Sequence, residues 1–383
     1  MNISATSRGI PPEGRAVSRT RSLSFPAMMS LLAVTLLVWL AGCGGSQTTA
    51  PSSPPQSLPV RHGQVHVVSA PALSTTVLTA QRRLYTFATA NVGLMQPVVD
   101  AQGNVWVGEM NANRLGQLNA RTGGVKNWPL PGGHYGIMGT VIDRKGTIWF
   151  SEQFANYIGH FDPASQAFQT FPLGTWKGAA LGPQDLQFDA HGFLWFTASD
   201  GSAIGRLDPR TRAVRVWPLP ASPSGLVVAP NGFVWFGYPT GGVIGSLDPA
   251  TGQITIYPLV QTQAQVYAMT MDAAGHLWFT EASPGRLGMF DPATDRLTEL
   301  PVPSIEGSSP SLSELVDDQQ GNIWFVDVGA NMLGRYVPGK QAITFFKLSL
   351  APTSPFALTL APTGDFWFTA GNATVNYLGK MTP

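Results

Sequence analysis

Residues 266–303 read VYAMTMDAAGHLWFTEASPGRLGMFDPATDRLTELPVP, four short apolar runs separated by turn residues. VYAMTM predicts a strand, DAAG a tight turn and HLWFTE a second strand. ASPG then leads to RLGMF, and DPATD turns the chain into a fourth strand, RLTELPV. Turn residues at fixed offsets between runs of period-two apolarity mark a β-meander, because side chains alternate between the two faces of a strand.

This stretch is one of seven copies. Tryptophans fall at Trp106, Trp149, Trp195, Trp235, Trp278, Trp324 and Trp367, 40 to 46 residues apart. Three residues before each lies a glycine, from Gly103 to Gly364, and ten residues after the first six lies another, from Gly116 to Gly334. Twelve residues further on comes an apolar residue: Trp128, Phe171, Trp217, Tyr257, Leu300 and Phe346. A period of this length holding four strands matches one propeller blade. The expected fold is therefore all-β, a seven-bladed β-propeller over residues 83–383. The last copy stops after its third strand, and an unmatched fourth-strand pattern, Arg83-Leu84-Tyr85-Thr86-Phe87, precedes the first. The N-terminal strand should complete the last blade and close the ring, leaving no open sheet edge.

Length variation is confined to one side of the repeat. The interval from the fourth-strand apolar residue to the next glycine varies between 15 and 21 residues, while the spacing inside each of the first six copies is constant. One face of the disc thus carries uniform turns and the other variable loops, where binding residues are expected. The longest loops are 174–184, with Trp176, Lys177 and Gln184, and 303–313, ending in Ser313. His134 and Tyr135, in PGGHYGIM on this face, are further candidates. The residue three after each Trp points the same way: Glu109, Glu152, Ala198, Tyr238, Glu281, Asp327 and Ala370. Four acids in seven would ring one divalent cation, Mg²⁺ or Ca²⁺, or else cap loop amides within their own blades.

The chain ahead of the repeats reads differently. Arg8, Arg15, Arg19 and Arg21 precede an apolar run, Ala27–Gly42, that is short for a membrane span and ends in Leu40-Ala41-Gly42-Cys43. This resembles the lipobox of bacterial lipoproteins. Residues 1–42 would then be a signal peptide, Cys43 the lipidation site, and the membrane a partner through that lipid. The alternative is an uncleaved anchor helix. Residues 43–82 begin as a Pro/Ser/Thr-rich linker; 64–80 alternates weakly, and strand and linker both remain open. The expected location is the cell envelope, on the periplasmic or cell-surface side of a bacterial membrane. The net charge is +1, and no basic stripe suggests a nucleic-acid partner. The single cysteine forms no internal disulfide, so packing must hold the fold. No nucleophile, P-loop or HExxH pattern is present.

Copies such as residues 272–303 and DRKGTIWFSEQFANYIGHFDPASQAFQTFPL (143–173) resemble the streptogramin B lyases, also called virginiamycin B lyases, of the broader NHL-like propellers. The resemblance implies a lactone-opening elimination, with histidines at the inner-strand starts of the last two blades and a magnesium ion. Counting back eight residues from each first glycine gives Met95, Met138, Gln184, Ser224, Tyr267, Ser313 and Phe356. Ser313 and Phe356 match the lyase histidines, and neither can take a proton at neutral pH. Ser354 and Gly371 stand where the family has acidic metal ligands. The fold carries over and the known lyase mechanism does not. The expected function is binding of a ligand or an envelope protein on the variable-loop face. The alternative is a metal-dependent lyase or lactone hydrolase.

Overall fold

Blade five shows how the repeat folds. Its strands are Val266–Met271, Leu277–Glu281, Arg286–Asp291 and Arg296–Pro301, each within one residue of expectation. In the first turn the Asp272 carboxylate accepts the N–H groups of Ala274 and His276 and the indole N–H of Trp278, at 2.8 to 3.0 Å. Asp100, Asp143, Asp189 and Asp318 do the same in blades one, two, three and six. Gly275 follows at φ +88°, with nothing near a hypothetical Cβ, so this glycine is demanded by the backbone angle alone. The third-strand Gly288 has the opposite reason: a Cβ there would lie 2.0 Å from the Phe279 ring, which lies over bare backbone.

The computed structural model describes residues 60–87, 91–132, 136–318, 320–349, 354–372 and 374–382; Cys43, the apolar run before it, His134 and Tyr135 lie outside these. Among them are seven sheets, each of four antiparallel strands from one blade, numbered one to seven in chain order. The tryptophans stack on the fourth-strand aromatic of the same blade at ring distances of 5.1 to 5.4 Å in blades one to four and six. The core lies between blades rather than at one centre. Trp278, Leu287 and Leu300 of blade five, for example, pack with Leu312, Ile323, Phe325, Tyr336 and Phe345 of blade six.

Ring closure is as expected. Arg82–Phe87 pairs antiparallel with Asn376–Met381 and forms the outer strand of blade seven. Tyr85 occupies the stacking position on Trp367, with centroids 5.6 Å apart, and its hydroxyl donates to the Ala120 carbonyl of blade one. From residue 60 on, the preceding segment is also part of the fold. Val60–His62, His66–Val67 and Ser74–Thr79 lie parallel to the outer strands of blades four, five and six. The open question for residues 64–80 resolves as strand at 66–67 and 74–79. Each added strand covers a row of backbone groups that would otherwise face water or another chain. No helix among the described residues is long and apolar enough to cross a membrane.

Removing the ring-closing aromatic tests this architecture. Tyr85→Ala should cost about 3 kcal/mol, within the range for truncating a buried aromatic. Urea unfolding should show the loss, and proteolysis should cut the amino-terminal strands first. Unchanged stability would mean that the N-terminal strand does not close the ring.

Candidate functional site

The inner strands are not regular. In six of the seven blades, two successive residues of the inner strand oppose a single residue of the second strand: 95–96, 138–139, 184–185, 267–268, 313–314 and 356–357. Such a β-bulge leaves one amide outside the ladder and re-aims the neighbouring side chains. A hydroxyl two residues after the Trp takes up that amide. The N–H groups of Gly139, Asp185, Ala268 and Ala357 donate to Ser151, Thr197, Thr280 and Thr369, at 2.8 to 3.1 Å. Ser151 and Thr280 in turn donate to the carbonyls of Gln184 and Ser313 in the next blade.

Blade one lacks this hydroxyl, with Gly108 in its place, and so do blades four and six, which carry Gly237 and Val326. In blades four and six the link to the next blade comes from the inner strand itself. Ser224 donates to the Val266 carbonyl at 2.6 Å, and Ser313 to the Phe356 carbonyl at 2.5 Å. Ser313 is fully buried. The residue expected on the ligand face is therefore a fastener between blades six and seven. Ser354 and Gly371 are directly opposite each other across the first two strands of blade seven, and neither offers a carboxylate. The residues present do not fit a divalent ion at that place.

The inner strands line the central channel, a cavity of about 300 Å³, and both members of every bulge pair are in its lining except at 313–314, where only Glu314 is. Its layer nearer the variable face holds Met95, Met138, Gln184, Ser224, Tyr267 and Phe356. Met95 and Phe356 are buried and cluster with Met138 and Tyr267; the Tyr267 and Phe356 rings meet edge to face at 6.0 Å. Trp176 is elsewhere, in a small hairpin (Thr175–Trp176 with Ala179–Ala180) packed on blade three, with Lys177 exposed at its turn. Gln184 is held by its amide N–H, which donates to Gln153; Gln153 donates to Asp200.

The next layer was missed in the sequence. It comprises Gln96, Gly139, Asp185, Gly225, Ala268, Glu314 and Ala357. Four of these seven have little or no side chain, which leaves room for two acids. Asp185 accepts the N–H groups of Leu186 and Leu226 at 2.9 Å, tying blade three to blade four. Glu314 accepts only its neighbour Leu315, at 3.3 Å. Both residues are half-buried and line the channel. Burial pushes Asp185 up to about 6, against the pull of its two amide bonds. Burial, reinforced by repulsion from Asp185, pushes Glu314 up to about 8. The Tyr267 phenol is raised too, by burial and then by the Glu314 and Asp185 charges. A period-two reading places adjacent residues on opposite faces, so it kept one layer and discarded this one.

The four acids after the tryptophans are all buried, and the structure does not bring them together. Glu109 is paired with Arg114 of its own blade. Asp327 accepts the amides of Ser311 and Ala330. Neither oxygen of Glu152 or of Glu281 has a hydrogen-bond partner among the described residues. None of the four lines the channel. Among the described residues no three His, Cys, Asp or Glu side chains gather as a metal site. His160 packs edge-on to Trp149 at 4.7 Å, and His276 lies beside Asp272 in a uniform-face turn. Burial pushes Glu152 up to about 8 from its ordinary 4.5. Between those values the folded state holds a proton that the unfolded chain has lost, so stability falls as pH rises through the window. Glu152→Gln should remove that slope. It should be more stable than the parent by on the order of 2 kcal/mol at pH 8 and about equal at pH 5, by urea unfolding.

Comparisons with known proteins agree with this architecture. The S. aureus virginiamycin B lyase is 22% identical, with a TM-score of 0.70 over 79% of this chain and 99% of that one. Its catalytically inactive histidine-to-alanine variant, solved with quinupristin, matches over 79% of this chain and 100% of that one, with the same identity and score. The extracellular domain assigned to a hybrid two component system of B. thetaiotaomicron is 13% identical, with a TM-score of 0.60 over 76% of this chain and 40% of that one. No curated protein matches the sequence. The virginiamycin B lyase family model matches residues 65–313, well over half of the chain. With the repeat, the ring closure and the channel in place, that match makes this chain a member of the virginiamycin B lyase family.

Proposed function

We propose that this propeller is an extracytoplasmic binding protein, held at a membrane by a lipid on Cys43, that takes its ligand at the channel end of the variable-loop face. The observation that carries the reading is the channel. Its lining combines a Met–Tyr–Phe cluster with two carboxyls and Gln184, the mix of apolar wall and few polar groups that marks ligand pockets. Support for the location comes from Leu40-Ala41-Gly42-Cys43 and from the extracellular domain that shares the fold.

The family's ring-opening chemistry is a poorer fit to this chain. Abstracting a proton beside a carbonyl needs a base within hydrogen-bond reach. At the two matching positions stand a serine engaged in joining blades and a phenylalanine. Of the described histidines none lines the channel.

Two experiments test the reading. Cys43→Ser should move the protein from the membrane fraction to the soluble one; retention on membranes would rule out the lipid anchor. A thermal-shift screen of small amphiphiles should find compounds that raise Tm in proportion to occupancy, and Tyr267→Ala should abolish the shift. Quinupristin should leave the reaction unopened by mass spectrometry. If no compound raises Tm, or if quinupristin is linearised, the binding reading fails.

A further inference from the structure

Glu314 and Asp185 both line the channel in one layer, near enough for the charge of Asp185 to push Glu314 up. Like charges facing each other in an enclosed space are unfavourable, and nothing cationic in the channel lining offsets them: its titratable groups are Asp185, Glu314 and Tyr267. Tyr267 joins them in the lining, half-buried; its ring meets Phe356 edge to face, and its phenol is raised by burial and then by both carboxyl charges. Gln184 adds an acceptor, because its amide N–H is already directed to Gln153 and its oxygen is left over.

We propose that the channel is a receptor site for an organic cation, an ammonium or guanidinium group on an apolar body, with the charge between Glu314 and Asp185 beside the Tyr267 hydroxyl. This rests on the ligand-binding reading and names its ligand class. An ammonium has three donors and no acceptor, which suits a layer of acceptors. The faces of Tyr267 and Phe356 attract a cation, while Met95 and Met138 adapt to an alkyl or aryl body. A divalent metal is served less well. Both oxygens of Asp185 already accept backbone amides, and no third His, Cys, Asp or Glu joins the pair. The volume of about 300 Å³ suits a small amine and lies at the lower end for ligand pockets. The small residues of the layer are also fixed by the fold. A Cβ on Gly139 or Gly225 would come within 2.5 to 2.7 Å of the next blade's backbone, so the space between the acids is built in.

Glu314 must be ionised to hold the cation, and it carries a proton below about pH 8 in the free protein. Binding therefore releases that proton, and affinity rises with pH by up to tenfold per unit until about pH 8.

The test is calorimetric titration of the full chain with phenethylammonium chloride, with 2-phenylethanol as its neutral counterpart and MgCl₂ as the metal probe. Phenethylammonium should bind, more tightly at pH 8 than at pH 6, while phenylethanol should not. Glu314→Gln should weaken binding at least tenfold and Tyr267→Phe several-fold, with Tm of the Glu314 variant at or above that of the parent. No heat at millimolar phenethylammonium, equal binding of the alcohol, Mg²⁺ taking the site, or an unchanged affinity in Glu314→Gln would each overturn the proposal. If Glu314→Gln does not fold, the pH series on the parent decides, and a flat affinity from pH 6 to 8 overturns it. A neutral or anionic compound that raises Tm while phenethylammonium does not would sink the cation assignment and leave the binding reading standing.

Discussion

An extra residue in the inner strand of six blades is the constraint from which much of the remaining structure follows. The inner strands line the channel with consecutive residues, and the bulge next to the variable face sets which side chains stand at its mouth: in blade six Glu314 lines it while Ser313 is buried. The bulge also leaves an amide that the ladder does not use. A buried unpaired N–H costs roughly 1–3 kcal/mol, and in blades two, three, five and seven a hydroxyl on the second strand accepts it. That hydroxyl has a hydrogen of its own to donate, and in blades two and five it is directed to the next blade. Local irregularity is thus converted into polar contact between blades, added to their apolar packing and to links such as the Leu226 N–H to Asp185.

The same constraint accounts for the role of Ser313. Val326 cannot supply the hydroxyl that Thr280 supplies one blade earlier, and Ser313 provides the missing link from the other strand. Ser224 opposite Gly237 repeats the exchange. The exchange therefore gives the inner strands of blades four and six a structural hydroxyl. With Ser313 turned inward, the channel side chain of blade six is Glu314, and the polar character of the channel moves one layer deeper.

The buried acids divide by partner. Glu109 has Arg114, Asp327 has two loop amides, and Glu152 and Glu281 have none among the described residues. Four chemically similar residues at one repeat position thus have separate environments, because each faces the interface between its own blade and the next. Sevenfold repetition brings equivalent positions together only on the axis, and these are not on it.

The sequence by itself determined the ring. Seven tryptophans, their flanking glycines and the leftover strand at 83–87 specify blade number, strand order and closure, because turn geometry and apolar periodicity act within about 43 residues. It also carried the expectation, through the resemblance, that Ser313 and Phe356 stand in place of the lyase histidines. The tryptophan-binding aspartates stand six residues before five of the seven Trp, but a turn aspartate has many reasons to be there and the bond to the indole is not legible in the spacing. What only the tertiary structure decided was the channel: that Ser313 turns inward, that Glu314 and Asp185 share a layer, and that the rim strands at 60–79 cover three blades. A bulge shifts side chains by one position without changing the spacing of the repeat, and two residues 129 apart in the chain meet only because the ring closes.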